Sequence, residues 1–154
     1  MLGRMQEQWN ISYRLPAVRN AEGGIIGDAV RGSTVAVAGG NAGTAADATG
    51  NEIISECGGA ELHLRLGLTA FKHVGVFPEQ APNWDFIHRQ VARLRANNAK
   101  MGETRPPRVL NLFAYTGAAS LAARAAGADV THLDSVRQVV TWARHNMEIS
   151  SLVA

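Results

Sequence analysis

Between Arg108 and Met147 the chain alternates between two apolar rhythms, and this alternation restricts the fold more than any other feature. Arg108-Val-Leu-Asn-Leu-Phe113 is an apolar run of strand length, and Ala114-Tyr-Thr-Gly117 makes a turn. Ala118 to Ala126 reads as a helix of small residues closed by Gly127. Asp129-Val-Thr-His-Leu-Asp134 is a second short strand, and a helix follows from about Val136 to Met147. Val136, Val139, Val140, Ala143 and Met147 are predicted on the buried side of that helix. Strand, helix, strand, helix in succession predicts an α/β fold with a parallel, Rossmann-like sheet and right-handed crossovers.

A small β-rich segment is predicted ahead of this unit. Trp9-Asn-Ile-Ser-Tyr13 alternates apolar and polar residues, and Leu62, Leu64, Leu66 and Leu68 alternate with His63, Arg65 and Gly67, so both read as half-buried strands. The Gly/Ala/Thr-rich stretch between them, with short apolar patches such as Thr34-Val-Ala-Val37, predicts irregular structure with one or two hairpin strands. From Asn83 onward Trp84, Ile87, Val91 and Leu94 recur at helical spacing, with Pro82 suited to a first turn. The organisation expected is a β-rich segment over residues 1–80, including the Gly/Ala-rich insertion, and the first half of a Rossmann-like domain over 81–154.

Composition narrows the function classes. An apolar share of 46% in 154 residues is enough for a core. The sole cysteine, Cys57, excludes an internal disulfide framework, and no Cys/His cluster has zinc-site spacing, so no metal is expected. No apolar run has signal-peptide or membrane-spanning length, so a soluble, cytoplasmic protein without membrane attachment is expected. The formal charge of +2 hides an asymmetry. Residues 1–85 carry six Lys/Arg against nine Asp/Glu, whereas residues 86–154 carry nine against four. A basic second half suits an anionic partner, although arginines along a helix also make an ordinary solvated face.

The chemistry concentrates at the first strand-to-helix turn, because ligands of open parallel sheets bind beyond the carboxyl ends of the strands. Gly117 lets the turn fold tightly and lets a cofactor approach the main chain at the amino end of the next helix. Asp134, ending the second strand, can accept hydrogen bonds from both hydroxyls of an adenosine ribose. The same residues also suit plainer roles, Gly117 as a turn glycine and Asp134 as a cap for the helix beginning near Val136. Asn111, Phe113 and Tyr115 stand where the earlier glycines of a nicotinamide fingerprint would fall, which counts against a dehydrogenase.

The string Val109-Leu-Asn-Leu-Phe-Ala-Tyr-Thr-Gly117, followed by His132-Leu-Asp134 and Trp142-Ala-Arg-His-Asn146, resembles class I S-adenosylmethionine-dependent methyltransferases. The likeness is to the branch related to large-subunit ribosomal RNA methyltransferases. Phe71-Lys-His-Val-Gly-Val-Phe-Pro-Glu-Gln80 resembles the loop that borders the cofactor in that branch. The resemblance runs from about Leu62 to Leu152 and more faintly to the Trp9 strand. It implies S-adenosylmethionine as cofactor. Asn111, Phe113, Ala114, Tyr115, Thr116 and Gly117 would form the wall and turn against it, Asp134 would hold the ribose, and Lys72, Phe77 and Gln80 would lie near its reactive end. For Phe77 and Phe113, core packing is the competing role.

The reaction implied is displacement of the sulfonium-bound methyl group by a substrate nucleophile. The protein supplies alignment and a dry pocket. RNA is the partner expected, with Arg89, Arg93 and Arg95 as candidates to hold its phosphates. The branch carries an acidic residue followed by two prolines after its fourth strand, a motif this sequence lacks; Pro106-Pro107 precedes the first strand instead. The chain is therefore expected to be the cofactor-binding front part of such an enzyme, with no catalytic residue to nominate and a sheet edge open to self-association. The alternatives are a methyltransferase of protein or small molecule, and a non-catalytic nucleotide- or RNA-binding module.

Overall fold

A computed structural model describes residues 8–19, 25–26, 45–46, 52–53, 59–67 and 74–153. Thr34–Val37, Cys57, Leu68 and Lys72 lie outside the described residues. Strand β1 (Gln8–Arg14) pairs antiparallel with a strand at Glu61–Gly67, in the register Trp9↔Leu66, Ile11↔Leu64, Tyr13↔Leu62. Between them β2 (Val18–Arg19) pairs with β3 (Ile25–Ile26), and β4 (Ala45–Ala46) with β5 (Glu52–Ile53). Both pairs are antiparallel, so four two-residue strands stand where one or two hairpin strands were expected. The Glu61–Gly67 strand is β6.

Helix α1 (Ala81–Lys100) carries Pro82 in its first turn, where a missing N–H costs nothing. Its buried stripe is Trp84, His88, Val91 and Ala92, with Ile87 half-buried. Leu94, predicted for this stripe, is half exposed instead: the inward position next to Val91 and Ala92 falls to Arg95. Strand β7 (Arg108–Leu112), helix α2 (Ala118–Ala125), strand β8 (Asp129–Leu133) and helix α3 (Arg137–Ile149) complete the chain in the predicted order. β7 and β8 pair in parallel, Val109↔Val130 and Asn111↔His132. The fold is α/β with a partial Rossmann-like sheet.

Alanines make α2 thin, so α1, β6, β8 and α3 all approach it closely. Its residues Leu121, Ala122 and Ala125 join Leu15, Leu62, Leu64, Trp84 and Leu152 in one core cluster. Val18, Val91, Ala92, Ala123, Ala126 and Ala128 form a second. Tyr13 ties β1 to α1: its hydroxyl donates to Asp85 Oδ1 at 2.9 Å and its ring meets Trp84 edge-on at 5.2 Å.

Helix α3 follows the sequence expectation at Ala143, which is buried, and at Val139 and Met147, which are half-buried, and departs from it at its start. Val136 and Val140 are exposed, and the inward residues are Ala143 and Asn146. The reason is that α3 lies against the edge of β6, and a strand edge presents unpaired N–H and C=O groups. Trp142, Asn146 and Ser150 stand one helical turn apart and satisfy them. Trp142 Nε1 donates to the Arg65 carbonyl at 3.0 Å, and Asn146 Oδ1 accepts from the Arg65 amide at 2.8 Å. Ser150 Oγ accepts from the His63 amide at 2.9 Å and donates to the His63 carbonyl at 3.1 Å. Gly67 completes the edge by donating to the Val74 carbonyl. Side chains on one helix thus stand in for a missing neighbouring strand.

Candidate functional site: a cavity beside the β7–α2 turn

The turn after β7 has unusual backbone geometry. Phe113 (φ 54°), Tyr115 (φ 50°) and Gly117 (φ 94°) all occupy the left-handed region, and two of the three carry aromatic side chains. Such residues persist where the surroundings over-determine them, and they concentrate at functional sites. The surroundings here are explicit. The Ala114 amide donates to the Leu133 carbonyl, and the Gly117 amide to the Ala114 carbonyl. The Tyr115 amide donates to Asp134 Oδ2 at 2.9 Å, Thr116 Oγ1 donates to the Gly75 carbonyl, and Asn146 Nδ2 donates to the Thr116 carbonyl at 2.9 Å.

Between this turn, the Val76–Gln80 segment and the start of α1 lies a cavity of about 510 Å³. Its size is that of a typical small-molecule pocket, roughly 300–1,000 Å³. Phe77, Gln80, Asn111, Phe113, Ala114, Tyr115, Thr116 and Gly117 all line it, so the structure brings together eight residues singled out from the sequence. Trp84 and Phe86 of α1, which sequence reasoning did not assign to the site, add two further aromatic rings. Among the described residues no charged side chain lines the cavity. The Phe77 and Tyr115 rings lie 5.1 Å apart and tilted by 40°. Phe113 is 93% exposed and so is not a core residue, whereas Phe77 is partly covered by Tyr115.

Asp134 stands beside the cavity rather than on its wall. Oδ2 accepts from Tyr115 and Oδ1 from the Val136 amide at 2.9 Å. These two amides, Val136 foremost, hold its carboxyl below the usual aspartate pKa. It therefore closes a local turn just before α3, whose N-cap is Val136, and fixes the β7–α2 turn at the same time, and each oxygen keeps a lone pair for a ligand. Gln80 Oε1 accepts from Asn83 Nδ2 at 2.7 Å.

Gly117 owes its lack of a side chain to packing as much as to access. A Cβ there would stand 2.9 Å from Cβ of Ala143 on α3. Gly75 (φ 98°) answers the same need on the other side, since its Cβ would stand 2.4 Å from the Trp142 ring. Asn111 is oriented from behind. Its Nδ2 donates to Ser120 Oγ at 2.9 Å, which in turn contacts His132 Nδ1 at 3.0 Å. With one N–H of its amide committed to Ser120, Asn111 keeps its other N–H and its carbonyl oxygen for a ligand. His132 Nε2 is enclosed without a hydrogen-bond partner among the described residues, and burial pulls the ring's pKa below the ordinary value.

The arginines expected to contact RNA separate. Arg95 turns toward Gly127 and lines a cavity at the opposite end of the strands, which Arg89 and Arg93 do not line. No helix among the described residues is long and apolar enough to cross a membrane.

The chain is similar to class I S-adenosylmethionine-dependent methyltransferases, of the kind that includes large-subunit ribosomal RNA enzymes. No family model matches it. Among individual relatives, it is 36% identical over 102 residues to the ribosomal RNA large subunit methyltransferase K/L of Shewanella frigidimarina, covering 66% of this chain and 12% of that protein. It is 34% identical over 90 residues to the protein of that name from Magnetococcus marinus, covering 58% and 11%. The Aeromonas hydrophila protein is 43% identical over 67 residues, covering 43% and 9%. A solved structure described as a SAM-dependent methyltransferase from Agrobacterium tumefaciens aligns with a TM-score of 0.48 at 44% identity, covering 59% of this chain and 26% of its own. The chain thus spans about a tenth of the length of the curated relatives it matches.

Proposed function

We propose that the chain provides the S-adenosylmethionine-binding part of a methyltransferase acting on ribosomal RNA in the cytoplasm. In this reading residues 1–80 form a β-rich leading segment and residues 81–154 the front of the cofactor-binding domain. The observation that carries it is the aromatic-lined cavity beside a strained and braced turn. Its chemistry fits the donor. Aromatic faces attract a cation such as a sulfonium, by about 0.5–2 kcal/mol, and Phe77 and Tyr115 would supply them. The Asn111 carbonyl oxygen would accept from the ammonium of the methionine part, the free amides at the start of α2 would meet its carboxylate, and Asp134 would hold the ribose. Gln80, and Lys72 by resemblance, would border the reactive end.

S-adenosylmethionine, when bound, supplies an activated methyl group. The chain's residues align it and keep water away. The proposal assigns binding roles and no catalytic one. The relatives' printed names favour RNA over protein or small-molecule acceptors. Calorimetric titration with S-adenosylmethionine and with NAD tests the pocket. Saturable binding of the first is expected, weakened roughly tenfold by Phe77→Ala. No heat with S-adenosylmethionine, or binding to NAD alone, defeats the proposal.

A further inference from the structure

A second cavity of about 790 Å³ opens at the amino-terminal ends of β7 and β8, away from the turn. Three arginines from three elements line it: Arg95 on α1, Arg105 in the segment before β7, and Arg124 on α2. They are placed by specific contacts. Arg124 donates through Nε to the Leu152 carbonyl at 3.4 Å and through a terminal nitrogen to the Ala128 carbonyl at 3.2 Å. Arg95 lies over Gly127, where an added Cβ would stand 2.5 Å from its guanidinium. Arg105 is exposed.

One carboxylate, Glu103, shares the lining, but no carboxylate of the described residues comes within ion-pair distance of any of the three. Three guanidiniums around one cleft, none paired with a carboxylate of the described residues, suit anionic oxygens, because Arg95 and Arg105 can present planar forks of donors and Arg124 keeps further N–H groups beyond its two backbone bonds. The cleft has room for more than one phosphate group. We propose that it binds the phosphodiester backbone of the RNA strand whose methylation is proposed above, and so acts as a docking site at the far end of the sheet. The identity of the polyanion rests on that reading; the anion site rests on the arginines alone. The five residues of β7 separate the two cavities by roughly 13 Å, so one bound strand can reach past both.

The test uses the whole chain and a short fluorescein-labelled single-stranded RNA, followed by anisotropy across a salt series. Arg105→Gln and Arg95→Gln are each expected to weaken binding about fivefold and to lower the salt slope by about 0.7. The charge-matched control Arg14→Gln, exposed at the end of β1 and outside the cleft, should change neither. Unchanged affinity and slope in the cleft variants overturn the proposal, as does an equal loss in Arg14→Gln or an absence of RNA binding by the unaltered chain. Thermal unfolding checks that each variant is folded, and Arg105, being exposed, keeps the test available if Arg95→Gln is not. S-adenosylmethionine titration of the same variants separates the two readings. If RNA binding depends on the cleft while S-adenosylmethionine fails to bind, the docking site stands and the methyl-donor pocket falls.

Discussion

Replacing Asn146 with alanine tests the tie between the β7–α2 turn and the rest of the molecule. Asn146 is fully buried, and its amide makes two bonds that no other side chain can replace. Truncation strands the Arg65 amide, which is partly buried, and the Thr116 carbonyl, which is buried. A buried polar group left without a partner costs about 1–3 kcal/mol, so the two together cost about 2–5 kcal/mol, the Thr116 carbonyl contributing the larger share. That is a large fraction of the ~5–15 kcal/mol by which a domain is usually stable. Urea unfolding should show the midpoint falling by about 1 M or more with the slope unchanged. Ser150→Ala is the internal reference. It strands His63 groups at a more accessible position and should cost about 1 kcal/mol. A loss from Asn146→Ala below about 1 kcal/mol, or no larger than that of Ser150→Ala, would refute this account of how the turn is held.

Two further outcomes follow from the same geometry. Gly117→Ala should destabilise by about 1–3 kcal/mol through its left-handed backbone, with the contact to Ala143 adding to it. Adding Ala143→Gly should recover the contact part but not the backbone part, and complete recovery would show that φ is immaterial there. The second outcome concerns pH. Burial lowers the pKa of His88, whose Nδ1 donates to the Ala122 carbonyl at 3.2 Å while Asp85 acts in the opposite sense, and burial likewise lowers that of His132. With folded values below the unfolded ~6.5, the unfolded chain takes up protons first, so stability is full above that pH and declines as pH falls through the folded values. Tyr13 acts at the other limb: burial foremost, then its hydrogen bond to Asp85, pushes it up to about 12, so stability declines as pH rises from about 10 toward 12. Stability profiles of His88→Gln and Tyr13→Phe should each lose part of the corresponding limb; unchanged profiles would dismiss these groups.

The β7–α2–β8–α3 order was legible because each element announces itself within a few residues, by period, by a turn glycine or by a run of alanines. The buried face of α3 was legible only in part. The apolar period selects Val136, Val139, Val140, Ala143 and Met147, of which Ala143 is buried and Met147 packs on the core, but Val136 and Val140 are exposed because the surface α3 meets is a strand edge, which asks for hydrogen-bonding side chains. Trp142, Asn146 and Ser150 at four-residue spacing are the trace of that requirement, readable only once the edge is known. Asp134 shows the same limit. The cap expected of it for α3 does not form, since its local bond goes to the amide of the N-cap residue Val136 itself, and its bond to Tyr115 joins residues 19 apart. The arginine cleft was hidden for a like reason, since Arg95, Arg105 and Arg124 are scattered in sequence and converge only when α1 and α2 pack.

The braced turn bears on how the cavity recognises a ligand. Holding Phe113 and Tyr115 at positive φ costs about 1–3 kcal/mol each, and the exposed Phe113 ring recovers none of it by burial. The compensation comes from elsewhere: Asp134 after β8, Gly75 ahead of α1, and Asn146 on α3 each hold one residue of the turn. None of these ties involves a ligand, so the cavity's shape is set by the core that α3 and β6 complete. A ligand entering it meets aromatic faces and amides already in position and need not order them, which spares the entropic cost that weakens binding to mobile loops. The feature that strains the fold is then the one that prepares the site, and loosening any of the three ties should weaken ligand binding even where the cavity wall itself is untouched.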